Sequence, residues 1–323
     1  MKLKKPKFWD YKRPNFLSYL LFPFTLPISI NNFFNSFKEL IRQNFIKDSH
    51  NYKLKTICVG NIYLGGTGKT PLVIKLNQLL KKLNHKIVFI KKFHINTLDE
   101  THLLKKHGEV LAHNTRIKSL SSADNSYDVA IFDDGLQDSS IIYDLSFVCF
   151  NNKNFIGNGM LIPAGPLREK INSIKKYDAI FLNGNDEYSD EIISKIKKYN
   201  KDIKIFESTY VLTNLDTLNK AKKYVAFAGI GIPMNFYKTL NNNKLNIVKF
   251  LDYPDHHNYT LKDLKKIKDT AKNLNAEIIT TEKDYSRIQL KYKNGLNEDI
   301  KFVKMELIIK NEIELINFIK KKL

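Results

Sequence analysis

The chain is poor in cysteine, in arginine and in long apolar runs. Two cysteines in 323 residues, Cys58 and Cys149, cannot staple a chain of this length, and no Cys-x-x-Cys pair or histidine-rich cluster offers a zinc site. Both lie in apolar, strand-like runs, which suits buried, inert thiols and gives no sign of an oxidising compartment. Arginine is scarcer than the charge suggests: among 53 basic residues only Arg13, Arg42, Arg116, Arg168 and Arg287 are arginines. An arginine kept in so lysine-rich a chain marks a place where a planar, bidentate fork does what an ammonium cannot. No run reaches the 18 or so apolar residues of a spanning helix. The best candidate, residues 17–30 (LSYLLFPFTLPISI), is interrupted by Pro23 and Pro27. As a perfect helix it would extend about 21 Å, short of the roughly 30 Å hydrocarbon core.

What is present is enough for a folded chain with real cores. Apolar residues make up 43% and aromatics 12%, which excludes wholesale disorder, and the length suggests two domains. The formal charge of +20 attracts polyanions: nucleic acid, anionic lipid or a phosphorylated substrate. A Lys-, Asn- and Ile-rich background acting on solvated surfaces explains the same excess. The leader places Lys2, Lys4, Lys5, Lys7, Lys12 and Arg13 around Phe8, Trp9 and Tyr11, ahead of the apolar run. A secretory signal would need small residues at a cleavage site, and Asn31, Asn32, Phe33 and Phe34 stand there instead. The pattern fits a segment lying in an anionic membrane surface, with an amphipathic helix packed on its own domain as the alternative.

From residue 54 short apolar runs alternate with helical patterns. Strands are expected at Lys55–Gly60, Ile87–Ile90, Val129–Phe132, Leu145–Phe150, Ala179–Leu182 and Ile203–Phe206, giving a mostly parallel sheet covered on both faces. A second series, Tyr224–Ala228, Ile247–Leu251, Glu277–Thr281 and Phe302–Met305, includes a helix capped by Thr260 with Asp263. The expected organisation is an N-terminal segment at 1–50, a first domain at 51–207, a polar linker at 208–222 and a smaller α/β domain at 223–323.

The strongest chemical signal is Gly65-Gly66-Thr67-Gly68-Lys69-Thr70, between a strand and an amphipathic helix. Glycines let backbone amides approach phosphate oxygens, the helix N-terminus adds positive charge, Lys69 bridges the terminal phosphates, and Thr70 can hold Mg2+. One departure is Tyr63, which stands where the first glycine of the common pattern belongs. A P-loop also needs a metal-side carboxylate at the end of a neighbouring strand, and Asp133-Asp134 after Val129–Phe132 provides one. Gly229-Ile230-Gly231 reads as a tight turn rather than a dinucleotide site, because Met234 stands where a third glycine would be.

The order of further motifs carries a resemblance. Val59-Gly60-Asn61-Ile62, the GGTGKTP loop, DDGLQ at Asp133–Gln137, Gly157-Asn158-Gly159, LIPAGPLRE through Glu169, FAGIGIP at Phe227–Pro233, Asp255-His256-His257 and Thr281-Glu282-Lys283-Asp284 resemble the tetraacyldisaccharide 4'-kinase family over roughly residues 10–290. The PAGPLRE stretch is the most specific of them. The resemblance implies a P-loop NTPase-like, mostly parallel sheet domain with a second, smaller α/β domain, and an active site in the cleft between them. It implies an enzyme of lipid A biosynthesis that uses ATP and Mg2+ to phosphorylate the 4'-hydroxyl of a lipid disaccharide 1-phosphate. Its place would be peripheral, at the cytoplasmic face of the bacterial inner membrane. An anionic membrane surface is an implied partner; nucleic acid is not, and no protein partner is inferred.

By the same resemblance Asp99 would be the base and Glu100 a metal-side carboxylate beside Thr70, Asp133 and Asp134. His256 would support the base from the second domain, across the cleft. Lys69 and Arg168 would act on the transferring phosphoryl group, with Asn61, Gln137 and Glu169 against the substrate. A surface pair of Arg168 with Glu169 is the plainer alternative for that arginine. Two departures stand out. Leu98-Asp99-Glu100-Thr101 replaces the family's Gly-Asp-Glu-Pro, and Lys91-Lys92-Phe93-His94 stands where a Ser-Arg-Gly-Tyr stretch belongs. Asp138, where the family commonly has histidine, is assigned no role. The rival functions are a P-loop ATPase of the partitioning or chaperone type and a nucleic-acid-dependent ATPase. The first needs no PAGPLRE loop. The second would be expected to carry basic–aromatic patches near the site, and none is found. A degenerate, inactive kinase remains a further alternative, because of the missing stretch.

Overall fold

The computed structural model describes residues 5–45, 52–94, 97–123, 125–184, 189–292 and 298–323; Lys2 and Lys4 of the leader lie outside these. The chain divides into two compact units. One, the P-loop unit, comprises Lys5–His94, Leu104–Thr209 and Ile309–Leu323, and the other comprises residues 97–103 and Tyr210–Ile308. This differs from the expected organisation in three places. Asp99 and Glu100 group with the second unit, the C-terminal helix returns to the first, and 208–222 is not simply a linker. Residues 208–212 complete a nine-residue strand, in which Phe206, Ser208 and Leu212 are buried at alternating positions.

Most of the larger sheet belongs to the P-loop unit. The strands of this sheet are β1 (Lys55–Gly60), β2 (Ile87–Lys92), β3 (Glu109–His113), β4 (Val129–Asp133), β5 (Leu145–Asn151), β6 (Ala179–Asn183), β7 (Lys204–Leu212) and the later β12 (Met305–Ile309). Their order is β12-β7-β6-β5-β1-β4-β2-β3, and every neighbouring pair from β7 to β3 is parallel. Strands β4, β5 and β6 are buried at every position, as apolar runs covered on both faces must be. The order reverses at β1, so the C-terminal edge of that strand is where an open parallel sheet presents a ligand crevice. The edge strand β3 escaped the sequence reading because EVLAH is short and only half-buried.

At the N-terminus the structure corrects the expectation of a short, broken apolar run. Helix α1 (Phe16–Leu21), a 3-10 turn at Phe22–Thr25 and helix α2 (Leu26–Phe45) follow one another directly. Pro23 and Pro27 fall in the first residues of the turn and of α2, where a missing N–H costs nothing. Phe16–Ile41, 26 residues, is therefore long and apolar enough, by length and composition alone, to cross a membrane. Leu26, Ile30, Phe33, Phe34, Phe37 and Ile41 recur at helical spacing and are all exposed. The opposite side is fastened to its own unit. The Trp9 indole donates to Pro163 O at 3.0 Å, Asn158 Nδ2 to Ser18 Oγ at 2.9 Å, and Asn32 Nδ2 to Arg168 O at 2.7 Å. Helix α3 (Lys69–Lys82) leaves from the C-terminal edge of β1, and α4 (Leu98–Lys105), α5 (Arg116–Ala123) and α6 (Ser189–Tyr199) follow along the chain.

The second unit has a four-stranded parallel sheet, order β11-β10-β8-β9, made of β8 (Lys223–Ala228), β9 (Asn246–Asp252), β10 (Glu277–Thr281) and β11 (Ile300–Val303). Helices α7 (Pro233–Asn242), α8 (Leu261–Asn273) and α9 (Glu282–Lys291) accompany it, and α10 (Glu312–Lys322) is the C-terminal helix of the P-loop unit. The capping box of Thr260 and Asp263 opens α8 as the sequence predicts. The single strand expected at Phe302–Met305 is instead two, β11 and β12, in different sheets.

Candidate active site

Two clusters of functional side chains form, one in each unit. In the P-loop unit the loop after β1 is held from below. Asn61 Nδ2 donates to Thr67 Oγ1 at 2.9 Å, and the Asn183 amide at the end of β6 donates to Thr67 O. Gly65 (φ +141°) and Gly68 (φ +87°) occupy backbone regions that side chains disfavour, and Gly68 caps α3 with Lys69 as its first residue. At these two positions the loop's backbone favours glycine. Tyr63, the departure from the common pattern, has a structural reason. It is 1% exposed, packs with Leu161 and Leu167, and shares its hydroxyl with Asp10 and Lys5 at 2.5 Å. The PAGPLRE stretch is thereby zipped onto the loop: Leu64 N donates to Pro166 O and Arg168 N to Ile62 O.

That zipper aims Arg168. Its Nη1 donates to both oxygens of Asp134, at 3.0 and 3.2 Å, and to Gln137 Oε1 at 3.3 Å. The plain pairing of Arg168 with Glu169 is not found. Glu169 is buried and accepts instead from Gln137 Nε2 at 2.8 Å and from the Tyr177 hydroxyl at 3.0 Å. Gln137 Nε2 also donates to Asn61 O at 3.0 Å, so the three expected substrate residues form one chain. Lys69 Nζ lies 3.9 Å from Asp134. Burial pushes the Asp134 carboxyl up, but the charges of Lys69, Arg168 and Lys91 outweigh it and hold the group below its ordinary value.

Asp133 sits one residue earlier, in parallel register with Val59 of β1. Its Oδ2 accepts from Thr70 Oγ1 at 3.2 Å and from Lys91 Nζ at 2.5 Å. Its Oδ1 is buried and has no hydrogen-bond partner among the described residues. A hydroxyl and a carboxylate with one unsatisfied oxygen are hard oxygen donors, and this donor set fits Mg2+. Asp134 is turned to its arginine and lysine. Glu100 lies in the second unit, held by Lys283 Nζ at 2.7 Å, so the structure joins Thr70 with Asp133 but places the two other expected metal carboxylates in ion pairs.

The second cluster gathers at the C-terminal edges of the smaller sheet. Asp99, in the first turn of α4, accepts from Arg287 Nε at 2.7 Å and has His256 Nδ1 3.4 Å away. Arg287 Nη1 donates to Gly229 O at 2.6 Å and to Asp284 Oδ1 at 2.7 Å, and its side chain is 9% exposed. Asp284 is fully buried and also accepts from Thr281 and Tyr259 hydroxyls. Gly229 thus turns the chain toward Asp284, His256 and Arg287, a structural use rather than a cofactor loop. Burial pushes the Asp99 carboxyl up. The hydrogen bond from His256 and the positive charges of Lys283 and Arg287 overcome that and hold it well below the carboxylate range. His256 adopts φ +54°, a strained setting for a non-glycine residue that turns its ring to Asp99. His257 is different: its Nε2 meets Asp263 Oδ2 at 3.1 Å and its ring stacks on Tyr253.

Sequence reasoning missed Arg287, Lys283 and Lys91. The rarity of arginine, which singled out Arg168, was the signal available for Arg287. Lys283 stood in a quoted motif and Lys91 opened the stretch that departs from the family, but neither was given a role. Cys58 and Cys149 are fully buried; burial raises both thiols, Cys149 to about 12, so neither serves as a nucleophile here.

Comparison with known proteins adds a family. A family model described as Tetraacyldisaccharide-1-P 4'-kinase matches residues 18–92 and 95–323. A tetraacyldisaccharide 4'-kinase of Pelagibacter ubique is 49% identical over 98% of this chain and 97% of its own. One from Rickettsia bellii is 36% identical over 89% of this chain and 90% of its own. The crystal structure of LpxK from Aquifex aeolicus, solved in complex with ATP, aligns with a TM-score of 0.68 at 23% identity, over 95% of this chain and 99% of that one.

Proposed function

The chain belongs to the tetraacyldisaccharide-1-P 4'-kinase family, and we propose that its two clusters divide the work of one phosphoryl transfer. The enzyme is an ATP-dependent lipid kinase of lipid A biosynthesis, passing the γ-phosphate of ATP to the 4'-hydroxyl of tetraacyldisaccharide 1-phosphate. Neither a partitioning ATPase nor a nucleic-acid-dependent one accounts for that membership.

Phosphoryl transfer asks for little covalent chemistry and much positioning. The P-loop unit holds the donor. Gly65, Gly66, Thr67 and Gly68 present amides to phosphate oxygens, while Lys69 bears on the terminal phosphates. Thr70 and Asp133 would hold Mg2+, which would supply neutralisation of phosphate charge. Arg168, steered by Asp134 and Gln137, is set to exchange its carboxylate partner for phosphate oxygens. Asn61, Gln137 and Glu169 border the same loop and are assigned to the acceptor sugar's side. The second unit supplies the base. Asp99 accepts the 4'-hydroxyl proton, and His256, 3.4 Å away, orients the carboxylate and shares the proton. Glu100 keeps Lys283 in place beside that pair.

The exposed stripe of α1 and α2 supports docking on an anionic membrane surface, with apolar residues at the acyl boundary and the leader's lysines at headgroups. We assign the peripheral, cytoplasmic-face arrangement, in which the helix lies along the bilayer because one of its sides is hydrogen-bonded to its own unit. The observation that carries the residue assignment is the Asp99–His256 pair within one compact unit. Transfer of labelled phosphate from ATP to tetraacyldisaccharide 1-phosphate tests it: His256→Ala should slow transfer by about 10²-fold or more while leaving ATP binding intact. Equal loss of ATP binding would remove His256 from the base role.

A further inference from the structure

Lys91 sits where no P-loop recipe asks for a lysine. Strand β2 runs parallel to β4 with Ile90 opposite Phe132, which brings Lys91 level with Asp133 at the sheet's C-terminal edge. Its ammonium touches Asp133 Oδ2 at 2.5 Å, with the lysine side chain 6% exposed and the aspartate 1%. Lysine is almost never buried unless paired, because an unpaired ammonium loses its hydration without return. Here the partner is the carboxylate expected on the metal side, and Thr70 shares the same oxygen. Lys91 also opens the stretch in which this chain departs from its family's Ser-Arg-Gly-Tyr.

The charges around the loop make the consequence concrete. Asp133 and Asp134 contribute two negative charges; Lys69 and Arg168 face Asp134, and Lys91 faces Asp133. The local balance is therefore one positive charge before any divalent ion arrives, and zero without Lys91. In most such sites a carboxylate left unpaired would repel the phosphates until a divalent ion neutralised it. Here a side chain already does so, and it leaves Asp133 Oδ1 unsatisfied for the ion's shell.

We propose that Lys91 is a tethered cation of the donor site, which permanently neutralises Asp133 so that the loop takes up nucleoside triphosphate without a divalent ion. Mg2+ then strengthens binding and serves the transfer, but is not needed for capture. The inference rests on the donor-site reading above. It also makes the missing family stretch a substitution of one way of managing charge for another, rather than a loss of function.

The experiment is calorimetric titration of the full-length protein in detergent with ATP, in EDTA and in excess MgCl2. For the natural chain, Kd in EDTA should lie within about tenfold of Kd in Mg2+. Lys91→Met should weaken the EDTA value by about tenfold or more while changing the Mg2+ value by less than about threefold. With its carboxylate uncompensated, the same variant should bind Mn2+ alone, read by electron paramagnetic resonance, more tightly than the natural chain. Lys91→Arg, which keeps the charge, should retain binding in EDTA. Natural protein that binds ATP only with Mg2+ overturns the inference, whether or not the methionine variant folds. So does a methionine variant, folded by circular dichroism, whose two Kd values keep the natural ratio. Absence of ATP binding in both conditions would instead overturn the donor-site reading itself.

Discussion

Arg287 donates from Nε to Asp99 Oδ2 at 2.7 Å while its Nη1 holds Asp284, so the proposed base is fixed by an arginine anchored on a fully buried carboxylate. Removing the guanidinium leaves two buried carboxylates short of a partner. Arg287→Met should therefore destabilise the protein by about 3–5 kcal/mol, the usual cost of breaking a buried pair from one side. Arg287→Lys keeps the charge but loses the fork and should recover only part. Denaturant melts of both variants check this; equal stability for methionine and arginine would mean the network carries no net stabilisation.

The Asp99–His256 pair makes a prediction about coupling. If the two act as a unit, Asp99→Ala and His256→Ala should each lower kcat, by about 10²–10⁴-fold, and the double variant should lose far less than the product. Steady-state kinetics on the three variants measures it. Multiplicative losses would show two independent roles.

Acid stability should follow the same residues. Asp99 and Asp134 both titrate below their ordinary value in the folded protein. A depressed folded value means the unfolded chain binds more protons, so the contribution to stability is complete above an unfolded value of about 3.9 and fades as pH falls through the folded value. Asp134→Asn should flatten the acid limb of a stability–pH curve below about pH 5 relative to the natural chain. An unchanged limb would remove Asp134 from the proton linkage.

The N-terminal helix predicts a separable phenotype. Replacing Phe33, Phe34 and Phe37 with serine removes exposed apolar area without touching Asn32, which fastens the helix to Arg168 O. Sedimentation with anionic vesicles should fall, and ATP affinity should not change. High salt should release the natural protein only partly, since screening weakens lysine contacts but not apolar insertion. Resistance to alkaline carbonate extraction would point to a spanning helix instead.

Much of the donor site was legible because its chemistry is local: a strand, a glycine turn and a helix start contiguous in sequence, with Asp133 one strand away. The strands themselves were legible where β1, β4, β5 and β6 are nearly continuous apolar runs. Of the proposed base cluster, Asp99 and His256 were legible only through resemblance and Arg287 not at all, since the three are brought together by tertiary folding that no spacing encodes. The edge strand β3 and the break between β11 and β12 were hidden because short, half-exposed strands lack a strong period. The N-terminal helix reads too short from sequence because Pro23 and Pro27 look like breakers, although helix starts tolerate them.

One measurement bears most directly on the division of labour between the clusters: single-turnover transfer of labelled γ-phosphate from ATP to tetraacyldisaccharide 1-phosphate by Asp99→Ala, with ATP affinity determined on the same preparation. The prediction is transfer slowed by about 10²-fold or more with ATP affinity within about threefold of the natural protein, because the base is lost and the donor loop is not. Transfer at a near-natural rate would contradict it, and would mean that the proton of the 4'-hydroxyl leaves by another route.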